Sequence, residues 1–251
     1  MERHFACTAC GKCCQGRLPL TIGDALTHVD LFPLFIMWSP VRPGGKSYDA
    51  IRRIGLEIEP KKRKKAAVRV TPISYIPPHM PCPALLDDGL CAVHETKPLR
   101  CRAMPLSGAR AECDQTDLLI PKAGWACDVS ETAPVVYRNK TIVDRAVFAQ
   151  ERRALETDAK ILVPFAQFVL DAKPDVRKEV FSMALRPQGG QVITNFSHLI
   201  ARLPQVDMFD FAAQQQAVMQ RFSNLTTGRT EWASEHERYA ACAKEYAAML
   251  A

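Results

Sequence analysis

Apolar and polar positions follow two different rhythms along this chain, and the change falls near Lys140. Before it, AAVRVTPISYI (Ala66 to Ile76) partly alternates and is rich in β-branched residues, which predicts a strand. Thr21 and Asp24, in TIGD, form a capping signature and predict a helix running through the 20s and 30s. PISYIPPHMPCP (Pro72 to Pro83) predicts extended, irregular backbone leading into a cysteine. After it, TIVD (Thr141 to Asp144) repeats the capping signature, and Ile161, Leu162, Phe165, Phe168 and Val169 recur at helical spacing. Pro164 predicts a new helix or a kink there. Trp232, Tyr239, Cys242, Tyr246 and Leu250 fall near one helical face, so Cys242 reads as a core thiol. There is no internal repeat or low-complexity tract. The expected fold class is α+β: a cysteine-rich, loop-rich half over residues 1–135 wraps a metal centre. A mainly helical half over 136–251 packs against it or forms a lid.

Composition adds three constraints. With 251 residues, 47% apolar and 24% charged, the chain can bury a core without staples. MERHFACTAC lacks the apolar stretch of an export signal, and the longest apolar run, Leu31 to Trp38, carries a proline and is too short to span a bilayer. The expectation is a cytoplasmic protein without a membrane segment, whose thiols stay reduced; that favours a metal site over a disulfide framework. The net charge of +6 is mild and concentrated in KKRKK, Lys61 to Lys65. No aromatic residue interleaves with these cations, so the run reads as a solvated loop between strands and argues against nucleic acid as a partner.

The candidate chemistry lies in the cysteines. Nine of the ten lie between Cys7 and Cys127, and FACTACGKCC (Phe5 to Cys14) holds four. C-x-x-C lets two thiolates bend round one metal ion, and here the spacing extends through Cys7, Cys10 and Cys13. That triplet with a remote cysteine followed by proline is an iron–sulfur ligand pattern, and Cys82-Pro83 can supply the remote position. The side chain of Cys14 should diverge from that of Cys13, serving a second centre or a bridging position. Cys82, Cys91 and Cys101 form a second group, in which Asp87 to Gly89 (DDG) predicts a hairpin turn that returns Cys91 toward Cys82. Gly11 and Gly89 let backbone approach a cluster closely. Lys12, Arg100 and Arg102 would offset thiolate charge. Cys113 and Cys127 complete the set, with Cys127 the more ligand-like because Trp125 can shield it. Repeated three-residue spacing has no packing rationale, which separates the Cys7 to Cys14 block from inert core thiols.

These blocks carry a resemblance. F-x-C-x-x-C-G-x-C-C (Phe5 to Cys14), L-T-x-x-D (Leu20 to Asp24), C-P-x-L (Cys82 to Leu85) and C-x-V-H-E-x-K-P-x-x-C-R-x-x-P (Cys91 to Pro105) resemble the YkgJ-type cysteine-cluster family, described as zinc- or iron-chelating. The resemblance covers about the first half of the chain. The family usually has an aromatic residue where this chain has His94, and Arg-Pro where it has Lys97-Pro98. His94 is at C-x-x-H spacing from Cys91, which leaves two readings: a ligand, or a histidine filling the aromatic slot. The resemblance extends to iron–sulfur-binding flagellin lysine methylases and so raises an enzymatic possibility.

The chain offers little else to an enzyme. No clustered-glycine nucleotide site, C-x3-C-x2-C spacing, P-loop or Ser-His-Asp pattern occurs. Asp87, Asp88, Glu95 and Glu112 are candidate bases near the cysteines, though turn solubility explains the first two equally well. The ligand set expected is Cys7, Cys10, Cys13, Cys14, Cys82, Cys91, Cys101 and Cys127, holding an iron–sulfur cluster, of the 4Fe-4S type, or zinc. Two functional classes stand: a metal module that engages a protein partner, and a cluster-dependent protein-modifying enzyme.

Overall fold

The structure, a computed structural model, describes residues 2–45 and 47–251. In chain order the elements are β1 (Glu2–His4), β2 (Leu18–Pro19), α1 (Ile22–Thr27), β3 (Leu34–Val41), α2 (Tyr48–Ile54), β4 (Leu56–Lys61) and β5 (Lys64–Ser74). There follow α3 (Leu99–Ala103), β6 (Val135–Arg138), β7 (Thr141–Ile142), α4 (Ala146–Ala172), α5 (Pro174–Leu185), β8 (Val192–Asn195), α6 (Ser197–Ile200), α7 (Met208–Thr226) and α8 (Ala233–Leu250). Helices and sheets both build the molecule, so the fold is α+β, as the patterning predicts.

The long strand β5 organises the main sheet. Along one edge it pairs antiparallel with β3, from Ala67↔Val41 to Ser74↔Leu34; along the other it meets β4 at one end and β2 at the other. β8, from far along the chain, completes the sheet by pairing with β3. Residues of opposite parity on β3 point to opposite faces. Phe35 meets Tyr239 of α8, and Trp38 meets Phe165 of α4, so helices cover both faces. This explains why Leu34, Phe35, Ile36 and Trp38 are all buried and why their run has no single period. A second, three-stranded sheet in the order β1-β6-β7 packs Tyr137 and Ile142 against Phe148 of α4.

Several local expectations are corrected. The Thr21–Asp24 capping box forms, with each side chain accepting from the other residue's backbone N–H, but the helix ends at Thr27 and the 30s are strand. The second capping signature is not used. Thr141 lies in β7, after a turn in which Asn139 and Lys140 both have positive φ, and the Asp144 carboxylate instead accepts from Ala146 N. α4 runs through Pro164 without ending. The first half is also less loop-rich than its prolines suggest, because residues 18–76 supply most of the main sheet and much of the apolar core. Irregular backbone dominates 5–17 and 77–134 instead.

Other expectations stand. Lys61 to Lys65 forms the exposed β4–β5 hairpin, where Lys61 pairs with Lys64 and Lys65 bridges Glu57 at 3.0 Å. Cys242 is buried in α8. Among the described residues no helix is long and apolar enough to cross a membrane.

Candidate metal centre

The cysteine-bearing segments are brought together by backbone hydrogen bonds. Ala6 and Asp128 form an isolated β-bridge, with Ala6 N to Asp128 O at 2.8 Å, which brings Cys7 and Cys127 alongside each other. The Thr8 hydroxyl reinforces it by donating to Ala126 O. At the other end of the block, Gln15 bridges Pro81, and Cys82 N donates to Cys14 O at 2.9 Å. The turn at Asp87 to Gly89 forms as expected. Leu86 N donates to Leu90 O and Leu85 bridges Cys91, so Cys91 returns toward Cys82.

Two glycines make the loops meet. Gly11 has φ +68°, and a Cβ there would sit 3.1 Å from Leu85 Cδ1. Gly89 has φ +84°, and its Cβ would sit 3.3 Å from Ala9 O. Each loop thus occupies the space that a side chain on the other would need.

Cys101 arrives by a different route, on α3. Leu99 N donates to the Asp24 carboxylate, which ties α3 to α1. Arg100 is bound to Glu151 of α4 at 3.2 Å and donates to Leu106 O, while Gly108 N donates to Glu151 Oε2 at 2.7 Å. The pair is buried, and burial outweighs the attraction: it lifts the Glu151 carboxyl and lowers Arg100 from their ordinary values.

The thiols act on one another in two overlapping sets that share Cys13. Cys14 senses Cys82, Cys101 and Cys91, while Cys127 senses Cys10, Cys7 and Cys13. Cys13 stands between them. Its thiol donates to the Cys14 sulfur, which raises Cys13 far above its ordinary value and lowers Cys14. Burial pushes Cys101 up to about 12, with the Cys82, Cys13 and Cys91 sulfurs adding to it. Burial also raises Cys82. At Cys10 the backbone N–H groups of Lys12 and Ala126 donate to the sulfur and lower its pKa, which is the hydrogen bonding a thiolate ligand uses.

These sulfurs nevertheless do not converge. Among the described residues, no three histidine, cysteine, aspartate or glutamate side chains form a group that could hold a metal ion. The donor chemistry itself, thiol sulfurs on several loops, fits an all-thiolate centre. Cys7 and Cys13 are exposed, and Cys10, Cys14, Cys82, Cys91, Cys101 and Cys127 are half-buried. Cys113 is exposed beside Tyr137. His94 is exposed in the turn after Cys91. Trp125 is half-buried with the Lys122 ammonium over its ring, two residues from Cys127.

One feature was not anticipated from the cysteines. A cleft of about 620 Å3 opens between α1, residues 95–102 and α4, with Lys97, Arg102 and Arg153 among its lining residues. It adjoins the thiols, because the Lys97 ammonium acts on Cys13 and Arg102 follows Cys101 on α3. A signal for it was present: Phe148, Glu151, Leu155, Asp158, Leu162 and Phe165 share one stripe of α4, and two of these core positions are acidic.

No family model, curated protein or solved structure matches this chain.

Proposed function

We propose that this protein binds an iron–sulfur cluster, or zinc, through cysteine thiolates. The observation that carries the reading is that backbone bridges set Cys7 beside Cys127, Cys14 beside Cys82 and Cys91 back toward Cys82, while the thiols act on one another in two overlapping sets that share Cys13: Cys7, Cys10 and Cys127 on one side, and Cys14, Cys82, Cys91 and Cys101 on the other. Four thiolates satisfy one tetrahedral zinc or one cubane cluster, so two groups suit two centres, with the adjacent Cys13 and Cys14 serving one each. A bound metal would neutralise thiolates that otherwise repel one another and would draw the loops inward, making metal binding part of the folding of these segments. The resemblance to the YkgJ-type family supports the same reading.

A second reading is a cluster-dependent protein-modifying enzyme of the flagellin lysine methylase type. The cleft beside Cys101 favours it, since a purely structural centre needs no adjoining space.

Metal content, acid-labile sulfide and visible absorption, measured on protein purified without oxygen, test the first reading. Iron with sulfide and a broad visible band that bleaches on reduction is the expected result. Zinc without colour gives the zinc form. Loss of about half the metal in Cys127→Ser and in Cys91→Ser separately supports two centres. Protein without stoichiometric metal overturns the assignment.

A further inference from the structure

We propose that the cleft between α1, residues 95–102 and α4 is a binding site for a small phosphate-bearing anion, with Arg102 and Arg153 as its principal contacts and Lys97 at its thiol-facing side. The inference rests on the cleft's own geometry and does not depend on a metal being bound.

The first argument is how the cleft spends its charges. Its lining includes three cations, Lys97, Arg102 and Arg153, and three carboxylates, Asp24, Glu95 and Asp158. Two of the carboxylates are already committed to backbone. Asp24 accepts from Thr21 N and from Leu99 N, both at 3.2 Å, and from the Thr21 hydroxyl at 2.8 Å. Asp158 accepts from Ile22 N at 2.8 Å. These acids hold α1 and α3 in place. Among the described residues, neither the Arg102 nor the Arg153 guanidinium makes a hydrogen bond or ion pair. The arginines on either side in sequence behave differently: Arg100 is bound to Glu151, and Arg152 donates to Arg110 O. On each element, then, one arginine secures the fold and another faces the cleft with its donors free.

The second argument is shape. At about 620 Å3 the cleft has room for a small molecule, and it is open to solvent, so an anion can reach the two guanidinium groups directly. The two arginines come from different elements, so an anion between them can be gripped from two sides. Guanidinium forks suit phosphate oxygens, which accept paired N–H groups. Thr27, Thr157 and Gln150, also in the lining, offer neutral donors to the remaining oxygens. Glu95 is the one exposed acid left on the rim and discriminates against larger polyanions that would cross it.

Isothermal titration of the full chain with inorganic phosphate and with pyrophosphate, at constant ionic strength in chloride, tests the site. Saturable binding to one site is expected, with pyrophosphate the tighter. Arg153→Gln and Arg102→Gln should each weaken it about ten-fold or more, the loss of one charge-assisted pair. Arg177→Gln, on α5 and away from the cleft, should leave it unchanged. Both cleft arginines are exposed, so the variants should fold; circular dichroism and metal content on the same samples should match wild type, which separates this site from the thiols. Absence of saturable binding in folded wild-type protein overturns the proposal. So does binding that survives both cleft substitutions, since the anion would then lie elsewhere, as at the Lys61 to Lys65 hairpin.

Discussion

β3 and the cysteine block place chemically similar demands on their neighbours, yet they are held by opposite means. Trp38 and Leu34 are 0% exposed, locked between helices on both faces of the sheet, whereas Cys7 and Cys13 are exposed and none of the candidate ligands is buried. The sheet is positioned by apolar burial, which is large, non-directional and complete without a ligand. The thiol-bearing loops are positioned by a few bridges, tight turns and hydrogen bonds, each worth about 1 kcal/mol. A region built the first way keeps one geometry. A region built the second way has room to contract, and the gap between grouped thiols and a closed coordination sphere is where a metal's binding energy would act.

Trp38→Ala breaks the first region with the largest effect expected. It removes the contact with Phe165 and the hydrogen bond from the indole to Thr194 Oγ1 at 3.0 Å. The loss should lie toward the top of the ~3–5 kcal/mol range for such truncations, read from the urea midpoint. Cys127→Ser in metal-free protein should move that midpoint by less than ~1 kcal/mol, because the half-buried thiol supports little packing. Equal shifts for the two variants would mean the loops belong to the same cooperative core.

Glu151→Leu probes the join between the regions, since Glu151 holds both Arg100 beside Cys101 and the N–H of Gly108. Breaking it strands a guanidinium and should cost ~3 kcal/mol, the low end for buried pairs because the Arg100 side chain is 14% exposed and can reach water. The same variant should lower metal content if Cys101 is a ligand. A stable variant would show that α3 is held by its Asp24 contact alone.

Strand β5 and the turn that returns Cys91 toward Cys82 could be read in advance, for identifiable reasons. β5 carries β-branched alternation, and DDG sets its own turn. The Cys7 to Cys14 spacing has no packing explanation. What stayed hidden depended on burial that local patterning does not record. Leu31 to Trp38 lacks a period because both faces of β3 are covered, so nothing in the pattern marks the end of the helix that Thr21 caps. Thr141 resembles a cap because the strand pairing that claims it, with Arg138, comes from a hairpin with only two residue pairs. The cleft went unread because its arginines sit among charged residues that resemble an ordinary solvated helix face.

Asp158→Asn gives a smaller, pH-dependent effect. Burial, with the nearby Asp24 charge adding to it, lifts the Asp158 carboxyl from 3.8 to about 6, while the N–H of Ile22 opposes the shift. Arg69, across the small cavity that Asp158 also lines, is the cation on that side. A raised folded pKa contributes stability that is fully present below about pH 4 and is lost as pH rises through about 6. Wild type should therefore lose ~2 kcal/mol relative to Asp158→Asn between about pH 4.5 and about pH 7.5. The asparagine keeps an acceptor for Ile22 N, so the difference between the two proteins isolates the charge. Parallel pH profiles would place the carboxylate in contact with water through the cleft.

The finest comparison is inside the loops themselves, at Gly11. Its φ of +68° disfavours any residue with a Cβ, at a cost of ~1–2 kcal/mol, and a Cβ would also press on Leu85 Cδ1 at 3.1 Å. Gly11→Ala should therefore loosen the junction between the first cysteine block and the Asp87 to Gly89 turn while leaving the urea transition of the sheet in place. Faster exchange at the amides of Cys14 and Cys82, which bond to Gly11 O and Cys14 O, would report it. Repeating the substitution in a Leu85→Ala background removes the contact but not the backbone strain. If the two losses are equal, the left-handed turn alone sets the loop; if the second is smaller, the packing of the two loops on each other sets it as well.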